Sequence, residues 1–296
     1  MGGGVILVFL ATGGYLFWLA LEMMSLGFLG LLANSPGMGR RRPAVYFIPN
    51  SVGNLIFLIR VVTIHHGGFS YVLGMCGLAL KLGVFPLHFW VLPVASKIDR
   101  SNLFVFLGPI KIGPLVGLCF INSSLTAFVW GSAAAASAGV LGVQQSNIVG
   151  VLTFSGIITS GWLLCCALVR PTLSFAVWIL YTVSLGFVLW NDGISSLGVS
   201  GAFLGGLIVL GGRPAGAVFL GKWIALIGAT GTLYIKVTCL VLAGLGRSVV
   251  LTAVIYIRII LRRIATRNTT QSFHNNLFFF IVAALRLGIF FRMCVF

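Results

Sequence analysis

The sequence predicts an all-α fold, a polytopic transmembrane helix bundle of about ten or eleven spans, two of them broken. Composition is the first reason. Of 296 residues, 59% are hydrophobic and 7% are charged, with a mean hydropathy of +1.13, whereas a soluble domain carries about 25% charged residues. Pattern is the second. The apolar runs are continuous over the roughly 20 residues that a helix needs to cross a bilayer, and they lack the alternation of a transmembrane β-barrel. The third is what interrupts them. Lys81 stands inside the apolar stretch from Gly68 to Val94, followed by Pro86 and His88. A second interruption lies between Gly211 and Lys222, around Pro214. No linker long enough to separate domains occurs, so residues 1–296 are expected to form one transmembrane domain.

The first span lies within Val5 to Ala33. It is too long for one upright helix, so it is either tilted or preceded by a short helix. After the Arg40-Arg41-Arg42 loop, the second runs from about Ala44 to Ile64, with an interruption expected near Pro49 and Asn50. His65-His66-Gly67-Gly68 turns the chain, and the histidine pair reads as loop because adjacent side chains diverge and no carboxylate is near in sequence. The third span is the one broken at Pro86. The fourth, about Ser101 to Ile121, places Lys111 between Pro109 and Pro114. The fifth, about Leu125 to Val143, carries the small residues Ser132 to Ala138, suited to close helix contact. The sixth covers about Asn147 to Val169 and the seventh about Leu173 to Trp190, ending at the turn signal Asn191-Asp192-Gly193. From Ile194 to Leu245 a second broken helix and a further span are expected, then helices at about Arg247 to Ile264 and Leu277 to Val295.

Several functions are excluded by what is present. The 19 Lys and Arg give a net charge of +16, but many sit in short loops or at span ends, where they meet lipid headgroups and set orientation. They form no nucleic-acid surface. The six cysteines lie in apolar runs without a CxxC pair or any spacing for zinc or an iron–sulfur cluster, and they read as small core residues. No phosphate-binding glycine loop occurs. The N-terminus has no basic region followed by a cleavage site, so no removable signal peptide is expected.

The chemistry is in the intramembrane charges. Glu22 is the one acid inside a predicted span, and Lys81, Lys111 and Lys222 are lysines beside helix breakers. A lysine at bilayer centre costs roughly 2.5–3.5 kcal/mol unless it faces protein or water. Backbone freed by proline is tolerated at that depth only inside a bundle or along a wet cavity. Four such side chains should therefore face inward. A carboxylate favours the charged form of a nearby lysine while burial opposes it, so changing their separation moves protons. At an effective dielectric of about 20, opposite charges roughly 4 Å apart attract by about 4 kcal/mol. Glu22 and Lys81 are accordingly expected within direct or one-water reach.

These residues fall in recognisable motifs. Trp18-Leu19-Ala20-Leu21-Glu22-Met23, Tyr46-Phe47-Ile48-Pro49-Asn50, Lys81-Leu82-Gly83-Val84-Phe85-Pro86-Leu87-His88-Phe89-Trp90, Lys111-Ile112-Gly113-Pro114 and Pro214 to Trp223 together resemble the antiporter-like subunits of respiratory complex I, most closely the NADH dehydrogenase subunit 2 family. The match covers roughly Gly14 to Arg263. Ser155 and Thr159 lie in a stretch similar to a family segment that carries a histidine; Thr159 stands at that histidine's place. The resemblance implies a proton path of Glu22, Lys81, Lys111 and Lys222, supported by Pro86, His88, Pro214, Ser155 and Thr159. It implies a membrane-arm subunit of proton-pumping NADH:ubiquinone oxidoreductase in the mitochondrial inner membrane. It further implies no redox cofactor in this chain, with flavin, iron–sulfur clusters and quinone in partner subunits. The expected partners are the adjacent antiporter-like subunit, small membrane subunits and lipids such as cardiolipin, with no nucleic acid. Two rivals stay open: a free-standing multisubunit cation/proton antiporter subunit, and a structural membrane-arm spacer that does not pump.

Overall fold

The apolar run that begins at Val5 folds as two helices, α1 (Gly2–Leu10) and α2 (Gly14–Ala33); of the two expectations for this stretch, the short preceding helix is the one realised. The computed structural model describes residues 1–35, 41–63, 67–121, 125–169, 171–194, 210, 222 and 235–267. Beyond α2 these contain α3 (Arg41–Val62), α4 (Gly67–Leu82), α5 (Val91–Ala95), α6 (Arg100–Leu107), α7 (Ile112–Cys119), α8 (Leu125–Val143), α9 (Ile148–Val169), α10 (Pro171–Ile194) and α11 (Ile235–Arg267). A 3-10 turn, Pro109–Lys111, joins α6 to α7. Five spans among the described residues are long and apolar enough to cross a membrane: Gly14–Ala33, Pro43–Val62, Arg100–Cys119, Ile148–Ala167 and Pro171–Trp190. The chain is an all-α, multi-pass bundle. The His65-His66 turn, the break between Gly211 and Pro214 and the final predicted span lie outside the described residues.

The break at Pro86 is present and well formed. α4 ends at Leu82, where Gly83 adopts φ +65°. That left-handed conformation is inexpensive only for glycine, and a Cβ there would sit 2.4 Å from Val91 Cγ2. The Gly83 amide donates to Leu80 O (3.1 Å) and the Val84 amide to Ala79 O (3.0 Å), the paired bonds of a Schellman helix end. After a cis Phe85-Pro86 bond the chain turns through residues 85–90 into α5.

Three boundaries differ from expectation. Pro49 lies inside α3 and does not interrupt it. Proline removes the donor that the carbonyl four residues earlier would accept, and here the Asn50 side-chain amide donates to the adjacent carbonyl, Tyr46 O, at 2.8 Å. α10 continues four residues beyond Trp190, to Ile194, so Asn191-Asp192-Gly193 falls in its last turn. No break separates Leu245 from Arg247; both belong to the 33-residue α11. Gly244 packs there against α8, its ideal Cβ position 3.4 Å from Ser132 O, and the absence of a side chain serves helix contact rather than helix termination.

The small-residue tract of α8 does what its composition predicts. A Cβ on Gly161 of α9 would lie 2.8 Å from Gly131 O and 3.0 Å from the Ala135 amide nitrogen, so the two backbones are in direct contact, as small residues permit between membrane helices. Replacing Gly161 with valine should force α8 away from α9. The expected cost is about 1–3 kcal/mol, visible as a lower unfolding temperature of the detergent-solubilised assembly.

Candidate proton path

Three elements deliver the first charge cluster. Asn54 on α3 is 1% exposed and Lys81, in the last turn of α4, is 9% exposed. Glu22 reaches them from α2. The Asn54 Nδ2 donates to Glu22 Oε2 and to Ser25 Oγ at 3.2 Å. Its Oδ1 accepts from Lys81 Nζ. Lysine only donates and a carboxylate only accepts, so the amide can satisfy both in one orientation alone. Lys81 Nζ also donates to Leu21 O at 3.4 Å. Glu22 and Lys81 are thus joined through a side-chain amide, where the sequence leads one to expect direct or one-water contact. Beside Lys81 lies a cavity of about 10 Å³ lined by Ser25, Tyr46, Asn50, Ile110 and Pro114. That is close to the space one water requires, and its far wall flanks the turn that carries Lys111.

The end of α4 supplies the second link. A helix terminus leaves its last carbonyls without intrahelical donors. Leu80 O accepts from Trp90 Nε1 at 3.1 Å in addition to the Gly83 amide. Leu82 O accepts from Ser160 Oγ of α9 at 2.9 Å. Ser160 Oγ in turn accepts from Lys111 Nζ at 2.9 Å, and Lys111 Nζ donates to Gly156 O at 2.6 Å. Lys111 is 6% exposed, and its ammonium lies 5.8 Å from the Tyr181 ring centroid, within cation–π range. The Gly108 carbonyl, at the break before Lys111, takes Trp178 Nε1 at 3.0 Å.

Lys222 is 3% exposed and sits 5.7 Å from the centroid of Trp162, whose Nε1 donates to Ser248 Oγ on α11 at 3.1 Å. All three lysines are therefore buried inside the bundle, around mid-length of the helices they touch. Pro214 lies outside the described residues. His88 is half-buried and turned aside: its Nδ1 is 3.2 Å from Pro86 O, and its ring packs against Phe85 and Phe154. Thr159 bonds back to Ser155 O at 2.8 Å. Among the described residues no group of three His, Cys, Asp or Glu could hold a metal.

No model of a known protein family matches the chain, but individual proteins do. NADH-ubiquinone oxidoreductase chain 2 of Artemia franciscana is 29% identical over 147 residues, 50% of this chain and 47% of that one. The protein of the same name from Sylvisorex johnstoni is 26% identical over 250 residues, 75% and 72% of the two chains. The resemblance is to NADH-ubiquinone oxidoreductase chain 2. Among solved structures, a chain of respiratory complex I from Thermus thermophilus superposes with a TM-score of 0.75 at 18% identity, covering 86% of this chain and 68% of that one. A chain of the Mrp complex from Dietzia sp. superposes at 0.71 with 19% identity, covering 86% and 57%. The chain shares its fold with both, and it spans about half the length of the Artemia chain 2 it matches.

Asn54 is the group that the sequence reading missed. Its signal was available: Asn50 and Asn54 stand four residues apart, hence on one face, in an otherwise apolar helix. Ser160, fully buried on α9, is the other group, one that no local pattern marks out. Replacing Asn54 with leucine, similar in size but unable to bond, should weaken the Glu22–Lys81 coupling by about 1.5–3 kcal/mol, the range for hydrogen bonds to charged groups. A double-mutant cycle with Glu22→Gln on proton-translocation rate would measure it, and strict additivity of the two substitutions would show that no such coupling exists.

Proposed function

We propose that the chain is the antiporter-like membrane-arm subunit of proton-pumping NADH:ubiquinone oxidoreductase, and that it moves protons along Glu22, Lys81, Lys111 and Lys222. The reading rests most on the Asn54 bridge, which couples the charge of a half-buried carboxylate to that of a buried lysine. When Glu22 holds its negative charge against the bridge, Lys81 is favoured as ammonium. When the carboxylate is neutralised or withdrawn, burial favours the neutral amine and the proton leaves. The cavity between Lys81 and the Lys111 turn gives a direction for that departure, and Ser160 holds Lys111 ready on the far side. Lys222 is the next buried acceptor. Flavin, iron–sulfur clusters and quinone belong to partner subunits in this reading. The mitochondrial inner membrane is the location, and neighbouring membrane-arm subunits and lipids such as cardiolipin are the contacts.

The fold likeness to an Mrp complex chain favours one second reading, a subunit of a cation/proton antiporter without redox partners. The chain 2 relatives support the first reading over it. Co-purification with flavin and iron–sulfur subunits separates the two. Lys81→Ala in the assembled complex tests the path itself: assembly should be retained while protons translocated per NADH fall. An unchanged ratio would leave the chain as a structural spacer.

A further inference from the structure

Two buried tyrosines on different helices meet at Ser155, and one of them, Tyr181, stands beside Lys111. Tyr181 of α10 is 1% exposed and Tyr256 of α11 is 2% exposed, and neither hydroxyl makes a hydrogen bond within the described residues. Both stand at the edge of hydrogen-bond reach of the Ser155 hydroxyl on α9, which has a single proton to give. Tyr181 also brings this group to the lysine. An ideal Cβ on Gly156 would stand 3.2 Å from Tyr181 Oη and 3.4 Å from Lys111 Nζ, so both polar ends occupy the space that this missing side chain leaves open. An unpartnered buried hydroxyl costs about 1–3 kcal/mol, and two of them facing a third from three helices is a poor arrangement unless something joins them. Buried polar groups in that situation are bridged by ordered water.

We propose that Tyr181, Ser155 and Tyr256 bind ordered water and form a hydroxyl branch through which Lys111 exchanges protons with the membrane face of the α8–α9 connection. The proposal rests on the proton-path reading above. Position along α9 gives the direction. At 1.5 Å per residue, Ser155 lies about 10 Å from the start of the helix at Ile148, and the Lys111 contacts at Gly156 and Ser160 lie deeper, at about 12–18 Å. Trp162, beneath Lys222, is deeper again. The branch thus leads from Lys111 away from Lys222. It runs toward the face where Arg258 Nη1 donates to Val143 O at 2.6 Å. Phe154 and Ile255, packed over Gly142, close the last stretch with apolar side chains, which suits a branch that conducts only when those helices part.

The transfer balances without any other reactant. One N–H bond of the Lys111 ammonium breaks as its proton joins the lone pair of the bound water. The water releases a different proton to a tyrosine oxygen, and that hydroxyl passes on its own proton in the same way. Lys111 ends as the neutral amine, every hydroxyl is restored, and the proton leaves to bulk water at the face. The reverse order loads Lys111.

The test uses the whole assembled complex in sealed vesicles, reading protons translocated per NADH for Tyr181→Phe, Tyr256→Phe and Lys111→Ala. Phenylalanine keeps the ring and removes only the oxygen. Each Phe variant should lower the ratio as far as Lys111→Ala does, and the double Phe variant no further. Ser155→Ala should lower it likewise, while Ser155→Thr, which keeps a hydroxyl, should restore it; this pair also serves if a tyrosine variant fails to assemble. If Lys111→Ala loses the ratio and the hydroxyl-deleting variants keep it, the branch is wrong and the path stands. If Lys111→Ala also keeps it, the path reading falls and the branch with it.

Discussion

An ammonium ion or a free carbonyl held among apolar side chains must find a partner inside the protein or in a water trapped there, because bulk water is not available to supply one. The irregular parts of this bundle are arranged around that requirement. α4 stops in mid-bundle with Lys81 in its last turn, and Ala79, Leu80 and Leu82 present carbonyls that a continuing helix would have used. A backbone amide, the Gly83 amide with the Trp90 indole, and the Ser160 hydroxyl take them in turn. Ser160 then holds the Lys111 ammonium. The termination of one helix and the burial of a lysine on another are thus met by a single side chain.

The Asn54 bridge has a further consequence. A direct pair at about 4 Å would attract by about 4 kcal/mol at an effective dielectric of 20, enough to hold Glu22 and Lys81 together as a static ion pair. Interposing an amide lengthens the separation and lowers that attraction, while still supplying each charge with a hydrogen bond. A pair held this way is satisfied but not locked. Removing either partner leaves the other charge with a neutral amide and a desolvated site, which is the condition under which protonation changes most readily.

What the sequence made legible was the chemistry of single residues. Continuous apolar runs gave the helices, Pro86 and Gly83 gave the break, and a lysine in mid-span demanded an inward face. Small residues in α8 gave the tight crossing with α9. What remained hidden depended on partners distant in sequence. That Trp90 caps Leu80 O, that Trp178 caps Gly108 O and that Ser160 serves both Leu82 and Lys111 follow from how helices dock, which no local pattern specifies. Pro49 misled because proline's local penalty is real, yet α3 runs through it unbroken to Val62. The Leu245–Arg247 boundary misled because α11 runs through it without interruption, and Gly244, in the same turn, packs against Ser132 of α8.

The coincidence of breaks and lysines has a common physical cause. The C-terminal end of a helix carries partial negative charge and unpaired carbonyls, so it is one of the few places in an apolar interior where an ammonium is electrostatically welcome. A proline or left-handed glycine that ends α4 at mid-depth therefore creates the environment that Lys81 needs. The same ending frees the Leu82 carbonyl, which orients Ser160 toward Lys111. A straight α4 would remove both effects together: it would consume the carbonyls and return Lys81 to the middle of a helix with no end field. Break and charge are each difficult to keep in a membrane alone, and each makes the other tolerable. That mutual dependence is why a mid-span lysine followed within five residues by proline reads as one feature of the sequence rather than two.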